Sequence, residues 1–173
     1  MPCYKLHYFD MRGAGETARL MFAFAGVQYE NIEYAHKEWG PELKMKMPFG
    51  QVPVLEVDGQ LIPQSGAIYR YLGKQFGLLG KTDFEAAWVD ALFDQFKDYV
   101  TEFVPFFYIA IGHKEGDKEK SRKEVGEPAR DKFFPLLATQ LRKAGTGFLV
   151  GDSPTFIDFF LAEHVLNLQK HIP

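Results

Sequence analysis

Tyr8 closes a first run of loosely alternating residues, Tyr4 to Tyr8, and stands just before a turn that carries Gly13 and Gly15. A phenol at such a corner faces either solvent and a small bound group, or the edge of a core. Val52-Pro53 opens a second apolar run. Proline there cannot donate to a sheet ladder, and a cis bond before it would expose a neighbouring backbone edge. Gln64-Ser65 precedes a helical pattern, where unpaired N–H groups and the positive end of the helix dipole hold a carboxylate, or where Ser65 simply caps the helix. Each pattern also has a plain structural reading, and none is specific by itself.

Other chemistries are disfavoured. The single cysteine, Cys3, rules out an internal disulfide, a paired-cysteine redox motif and a cysteine zinc site, and it suits a reducing cytosol. It precedes the first strand rather than a helix N-terminus, so glutaredoxin-like exchange is not expected. Lys and Arg total 20 against 23 Asp and Glu, a net charge of −3 with no basic stripe, which argues against nucleic acid. The apolar stretch from Phe103 to Ile111 is broken by Pro105 and far too short to cross a bilayer, so a cytoplasmic protein without a membrane role is expected. Hydrophobic residues make up 46% and aromatics 16%, with 17 Phe, which predicts a folded chain whose core or pocket is built from large rings.

The elements that must position these residues follow from periodicity. A strand over Tyr4 to Tyr8, a helix over Glu16 to Phe24 and a strand over Gln28 to Tyr34 read as a right-handed βαβ unit. After a connector, Val52 to Val57 and Gln60 to Ile62 flank Asp58-Gly59 as an antiparallel hairpin, and a helix starts after its N-cap Ser65 and is stopped by Gly77. Beyond Leu78 to Thr82 the pattern is helical only. A long helix runs from Asp83 to Ile111 with a kink at Pro105, Lys114 to Lys123 is a charged connector, and a helix spans Ser121 to Lys143. Thr155 and Asp158 form a capping box for a last helix, apolar nearly all round. The fold class is α/β plus all-α, with domains at 1–79 and 80–173. The apolar last helix needs cover, which suggests either that the second domain lacks its final helices or that a partner subunit covers it.

Taken together, Tyr4-Lys5-Leu6-His7-Tyr8-Phe9, Arg12-Gly13, Pro48-Phe49-Gly50-Gln51-Val52-Pro53-Val54-Leu55, Gln64-Ser65-Gly66-Ala67-Ile68 and Ser153-Pro154-Thr155-Phe156-Ile157-Asp158 resemble cytosolic glutathione S-transferases, above all nematode members of the sigma class. The resemblance spans the chain and is specific in combination. It implies a thioredoxin-like βαβ-ββα domain that binds glutathione, followed by a helical domain that helps to form an electrophile pocket. It implies that Tyr8 hydrogen-bonds the glutathione sulfur, Trp39 and Lys44 meet the glycyl end, and Val52 before a cis Pro53 pairs with the cysteinyl unit, in a segment that includes Gly50 and Gln51. Gln64 and Ser65 would clamp the γ-glutamyl carboxylate. Asp98 would reach the γ-glutamyl amine of a neighbouring subunit, which makes a homodimer part of the site. Phe9, Arg12, Gly13 and Phe106 are candidates for the electrophile pocket.

The implied activity is conjugation of reduced glutathione to hydrophobic electrophiles in detoxification, with glutathione as co-substrate and no covalently bound cofactor. The alternatives are a prostaglandin-type isomerase of the same class, or a low-turnover carrier of haem or hydrophobic ligands using Phe103, Phe106, Phe107 and Tyr108. The chain departs from the sigma pattern at Ala14, where an arginine is usual, in the spacing from Trp39 to Pro48, which is longer by about one residue, and at Pro63 before Gln64.

Overall fold

A computed structural model describes residues 2–172 and divides after Leu78 into two compact units. The first holds a four-stranded mixed sheet in the order β2-β1-β3-β4. β1 (Tyr4–Phe9) pairs parallel with β2 (Glu30–Tyr34) and antiparallel with β3 (Val54–Val57), and β4 (Gln60–Pro63) closes the edge. Alternation along β1 does what period two requires: Tyr4, Leu6 and Tyr8 are buried, and Lys5, His7 and Phe9 lie half-exposed on the other face.

Helix α1 (Gly13–Ala25) begins three residues before the expected Glu16. Gly13 and Gly15, expected in the turn before the helix, belong to its first residues and are needed there because they pack against the Tyr8 ring. Likewise β2 starts at Glu30 rather than Gln28, since the Val27 N–H still bonds the Phe22 carbonyl at 3.1 Å and Tyr29 stacks on Phe22 with ring centroids 4.3 Å apart. The connector before β3 contains a 3₁₀ turn (His36–Glu38) and a short helix α2 (Pro41–Lys46) with proline at its start. Six residues are too few to show a period, so α2 left no periodic trace in the sequence. Pro63 extends the edge strand β4 by one residue, where a missing N–H costs little. Helix α3 (Ser65–Phe76) ends at Gly77 in the left-handed conformation. Its N-cap is Gln64, not Ser65, which is already the first helical residue.

The second unit is helical among the described residues. Helix α4 (Asp83–Ala110) starts at Thr82, whose hydroxyl accepts the Glu85 N–H at 3.1 Å, and it runs on through Pro105. The expected charged connector contains α5 (Lys118–Ser121), which leads through a π turn (Arg122–Gly126) into α6 (Glu127–Ala144). The wider turn seats Gly126 where a Cβ would lie 2.7 Å from Phe106 and 2.9 Å from Ile172. Helix α7 (Phe156–Leu168) has the expected cap: Asp158 accepts from the Thr155 N–H and hydroxyl, both at 2.8 Å, and from the Leu149 N–H at 2.9 Å. It buries Phe156, Ile157, Leu161 and Leu168 and leaves Leu166 exposed. Rings fill this core, with Tyr99 stacked on Phe133 at 4.6 Å and His164 set edge-on to Phe96 at 4.7 Å.

Candidate functional site

The phenol of Tyr8 is 8% exposed and lies where β1 turns into α1. Its hydroxyl oxygen accepts the Ala14 N–H at 2.9 Å. That amide belongs to the first turn of α1, where N–H groups have no partner within the helix and the dipole is positive, so it places partial positive charge on the phenol oxygen. The carbonyl of the same residue is held as well: the Tyr69 hydroxyl on α3 donates to the Ala14 carbonyl at 2.6 Å. Neither group was found from the sequence, because a backbone amide leaves no residue-type signal and Tyr69 reads as one more core position of α3.

Two glycines make this approach possible. A Cβ on Gly13 would stand 2.6 Å from the Tyr8 hydroxyl, and one on Gly15 would stand 2.6 Å from its ring. Gly13 also takes φ +41°, a conformation that favours glycine. Arg19 braces the same turn, donating to the carbonyls of Met11 at 2.9 Å and Phe9 at 3.4 Å while paired with Glu16 at 3.1 Å.

Burial raises the Tyr8 pKa above its ordinary value, opposed by the Ala14 amide and by Arg19. The phenol therefore keeps its proton near neutrality. The amide takes one lone pair of the oxygen and leaves the O–H to donate, so Tyr8 is built as a hydrogen-bond donor rather than a general base.

Ala14 also lines a cleft of about 180 Å³ bounded by Gln51, Val52 and Pro53 on one side and by Pro63, Gln64 and Ser65 on the other, with Phe49 at its lip. Tyr8 adjoins this cleft through its hydrogen bond with the Ala14 amide. The Val52–Pro53 bond is cis. Five of the residues singled out in the sequence, Gln51, Val52, Pro53, Gln64 and Ser65, thus meet at one opening. The α3 N-terminus faces it, and Gln64 is held at φ 72° and ψ 121°. For a side chain with a Cβ such a conformation costs about 1–3 kcal/mol, and it is typical of positions where a ligand sets the geometry.

Other sequence candidates lie elsewhere. Trp39 follows the 3₁₀ turn, half-buried between the rings of Phe9 at 5.4 Å and Tyr34 at 5.6 Å. Lys44 is exposed on α2, next to the left-handed Gly50, where a Cβ would lie 3.8 Å from the Lys44 Cβ. Asp98 is exposed on α4 and lines a separate cleft of about 370 Å³ in the helical unit, beside Tyr99, Glu102 and Lys132.

Two of the four electrophile-pocket candidates, Gly13 and Phe106, are taken up by packing. Phe9, half-exposed at the end of β1, stacks on His36 at 4.2 Å, and its ring also lies 5.6 Å from that of Tyr8. Phe106 is 0% exposed, packed on Phe103 and Gly126. Gly13 gives room to the Tyr8 hydroxyl. Arg12 is exposed at the start of α1, 3.6 Å from Glu16. The run proposed for a carrier site is divided in the same way: Phe103 and Phe106 are core, Phe107 is half-buried and Tyr108 is exposed.

Comparison with known proteins agrees with this geometry. Residues 4–74 match the glutathione S-transferase N-terminal domain, and residues 97–173 match the C-terminal domain. The chain is 53% identical over 173 residues to glutathione S-transferase 1 of Ascaris suum, covering 100% of this chain and 84% of that protein. Among solved structures, the monomeric Na-GST-3 of Necator americanus is 50% identical with a TM-score of 0.94, covering 97% of this chain and 82% of that one. A Nu-class enzyme from Haemonchus contortus is 48% identical with a TM-score of 0.90, covering 100% and 83%. With a phenol and a cis-proline cleft on a thioredoxin-like sheet, followed by a helical unit, and with this likeness over its length, the chain belongs to the glutathione S-transferase family.

Proposed function

We propose that this protein conjugates reduced glutathione to hydrophobic electrophiles, with Tyr8 as the residue that stabilises the reacting sulfur. The observation that carries the reading is the Tyr8 hydroxyl fixed by the Ala14 amide beside a cleft that ends at the α3 N-terminus. Glutathione loses its thiol proton to solvent, the thiolate attacks the electrophilic carbon, a C–S bond forms and the leaving group departs. Lowering a thiol pKa from about 8.5 to about 7 takes roughly 2 kcal/mol, and one hydrogen bond to a charged group supplies about 1.5–3 kcal/mol. One phenol O–H is sufficient.

In this reading the γ-glutamyl carboxylate lies at the first turn of α3 with Gln64 and Ser65, where free amides and the dipole favour an anion. The cysteinyl unit pairs with the Val52 backbone in the segment from Gly50 to Pro53, and the glycyl end extends toward Trp39 and Lys44. Asp98 serves the site of a second copy in a homodimer, a use compatible with its exposure on α4. The absence of a catalytic cysteine is no obstacle, since the substrate brings its own nucleophile and the protein supplies alignment and electrostatics.

The setting is detoxification in the cytoplasm. No helix among the described residues is long and apolar enough to cross a membrane. Within the family, the motifs align the chain with nematode sigma enzymes, and its Haemonchus neighbour carries a Nu-class name. Retention on immobilised glutathione, followed by conjugation to a model aryl halide, tests the function. A folded protein that neither binds the resin nor turns over the halide would refute it.

A further inference from the structure

The half-exposed face of the sheet carries a chain of polar groups that the conjugation chemistry does not use. Lys5 and Glu56 are directly paired across β1 and β3, with their charged ends 3.1 Å apart. Glu56 also lies 3.4 Å from His7 Nε2, and His7 Nδ1 lies 2.8 Å from the Tyr34 hydroxyl. With Glu56 ionised, one tautomer satisfies every partner: His7 Nε2–H donates to the carboxylate and Nδ1 accepts the Tyr34 O–H. The Lys5 hydrogen bond, then that of His7, holds the Glu56 carboxyl below its ordinary range, in keeping with an ionised end to the chain.

The other end of the chain is a ring. Tyr34 closes β2 opposite Phe9 of β1, and the two rings flank Trp39, Tyr34 at 5.6 Å and 44°, Phe9 at 5.4 Å and 79°. Phe9 is itself fixed by its stack on His36. Trp39 lies in a loop between a 3₁₀ turn and α2, so its ring is set by these side chains rather than by a regular element.

We infer that His7 and Tyr34 are positioning residues for glutathione: they hold the Tyr34 ring, and through it Trp39, in the pose that receives the glycyl end of the tripeptide. This rests on the reading of Trp39 as a glycyl contact. It locates part of the affinity for glutathione, as opposed to its dipeptide precursor γ-glutamylcysteine, on a sheet face that does not touch the sulfur.

The test uses the full chain with Trp88→Phe, so that Trp39 is the sole tryptophan and its emission is excited selectively at the red edge of the protein absorbance, and compares Tyr34→Phe, His7→Val and Trp39→Ala. Tyr34→Phe keeps the ring and removes only the hydroxyl. Losing one hydrogen bond in the chain should raise KM for glutathione about fivefold. KM for γ-glutamylcysteine and kcat should hardly move, and the Trp39 emission should shift in both Tyr34→Phe and His7→Val. Trp39→Ala should abolish the preference for the tripeptide. Unchanged emission and KM in Tyr34→Phe and His7→Val would overturn the positioning role even if Trp39→Ala loses the preference. A preference that survives Trp39→Ala would instead sink the glycyl assignment of Trp39, and this inference with it.

Discussion

The Ala14 amide donates to the Tyr8 hydroxyl at 2.9 Å, so the first turn of α1 fixes the phenol oxygen while the O–H keeps its own capacity to donate. Tyr8→Phe removes that proton while keeping the ring. Losing about 2 kcal/mol of thiolate stabilisation corresponds to a fall in kcat of about thirtyfold. KM for glutathione should change little, and the pKa of the bound thiol, followed by its ultraviolet absorbance, should return toward the free value. The Ala14 amide also loses its acceptor, so a small drop in Tm should accompany the kinetic loss. An unchanged thiol pKa would remove Tyr8 from the chemistry.

Gly15→Ala is the sharper test of how the turn is packed. In an ordinary helix interior this change stabilises by about 1 kcal/mol. Here the added Cβ would meet Tyr8 Cδ1 at 2.6 Å and Cγ at 2.8 Å. Overpacking of this kind costs about 1–3 kcal/mol, so the sign reverses and Tm falls. Because the displaced atoms belong to the Tyr8 ring, kcat should fall along with Tm. A more stable variant with full activity would mean that the turn has more room than the geometry gives it.

Gln64 separates strain from function. Its φ of 72° suits glycine, so Gln64→Gly relieves backbone strain of about 1–3 kcal/mol and returns roughly 1 kcal/mol of it as added chain entropy in the unfolded state. Tm should hold or rise. The same change removes an amide proposed to bind the γ-glutamyl carboxylate, and losing about 1.4 kcal/mol of that contact raises KM for glutathione about tenfold. Isothermal titration with glutathione and a thermal melt read the two effects separately. Weaker stability with unaltered affinity would contradict both parts.

These variants also show where sequence reading was sufficient and where it stopped. The strand, the hairpin and the capped helix α7 announced themselves through period two, Asp58-Gly59 and the Thr155–Asp158 pair, all local signals that their own chemistry enforces. Gln51, Val52, Pro53, Gln64 and Ser65 were legible as a group through their motifs, and the fold brings them to one cleft. Ala14 was read only as a missing arginine, because its contribution is a backbone N–H. Phe106, expected at a pocket wall, is wholly buried: a phenylalanine looks the same in the sequence whether it lines a cavity or fills a core. Helix α2 was too short for periodicity to show.

In the helical unit, burial of His164 makes stability depend on pH. Its Nε2 lies 3.1 Å from the Tyr99 hydroxyl, and the rings of Phe96, Tyr99 and Phe103 meet it edge-on. Burial lowers its pKa to about 4 from an ordinary 6.5. The unfolded chain therefore binds a proton at a pH where the folded chain does not. Stability from this group is complete above about pH 6.5, falls by about 1.4 kcal/mol per pH unit as the pH drops toward 4, and levels off below that. His171, lowered by burial and then by Lys118 and Lys170, acts in the same direction. Urea unfolding at pH 7.0, 5.5 and 4.5 should show the loss, and His164→Phe should remove most but not all of the slope. A slope that persists in full in His164→Phe would assign the titration to another group.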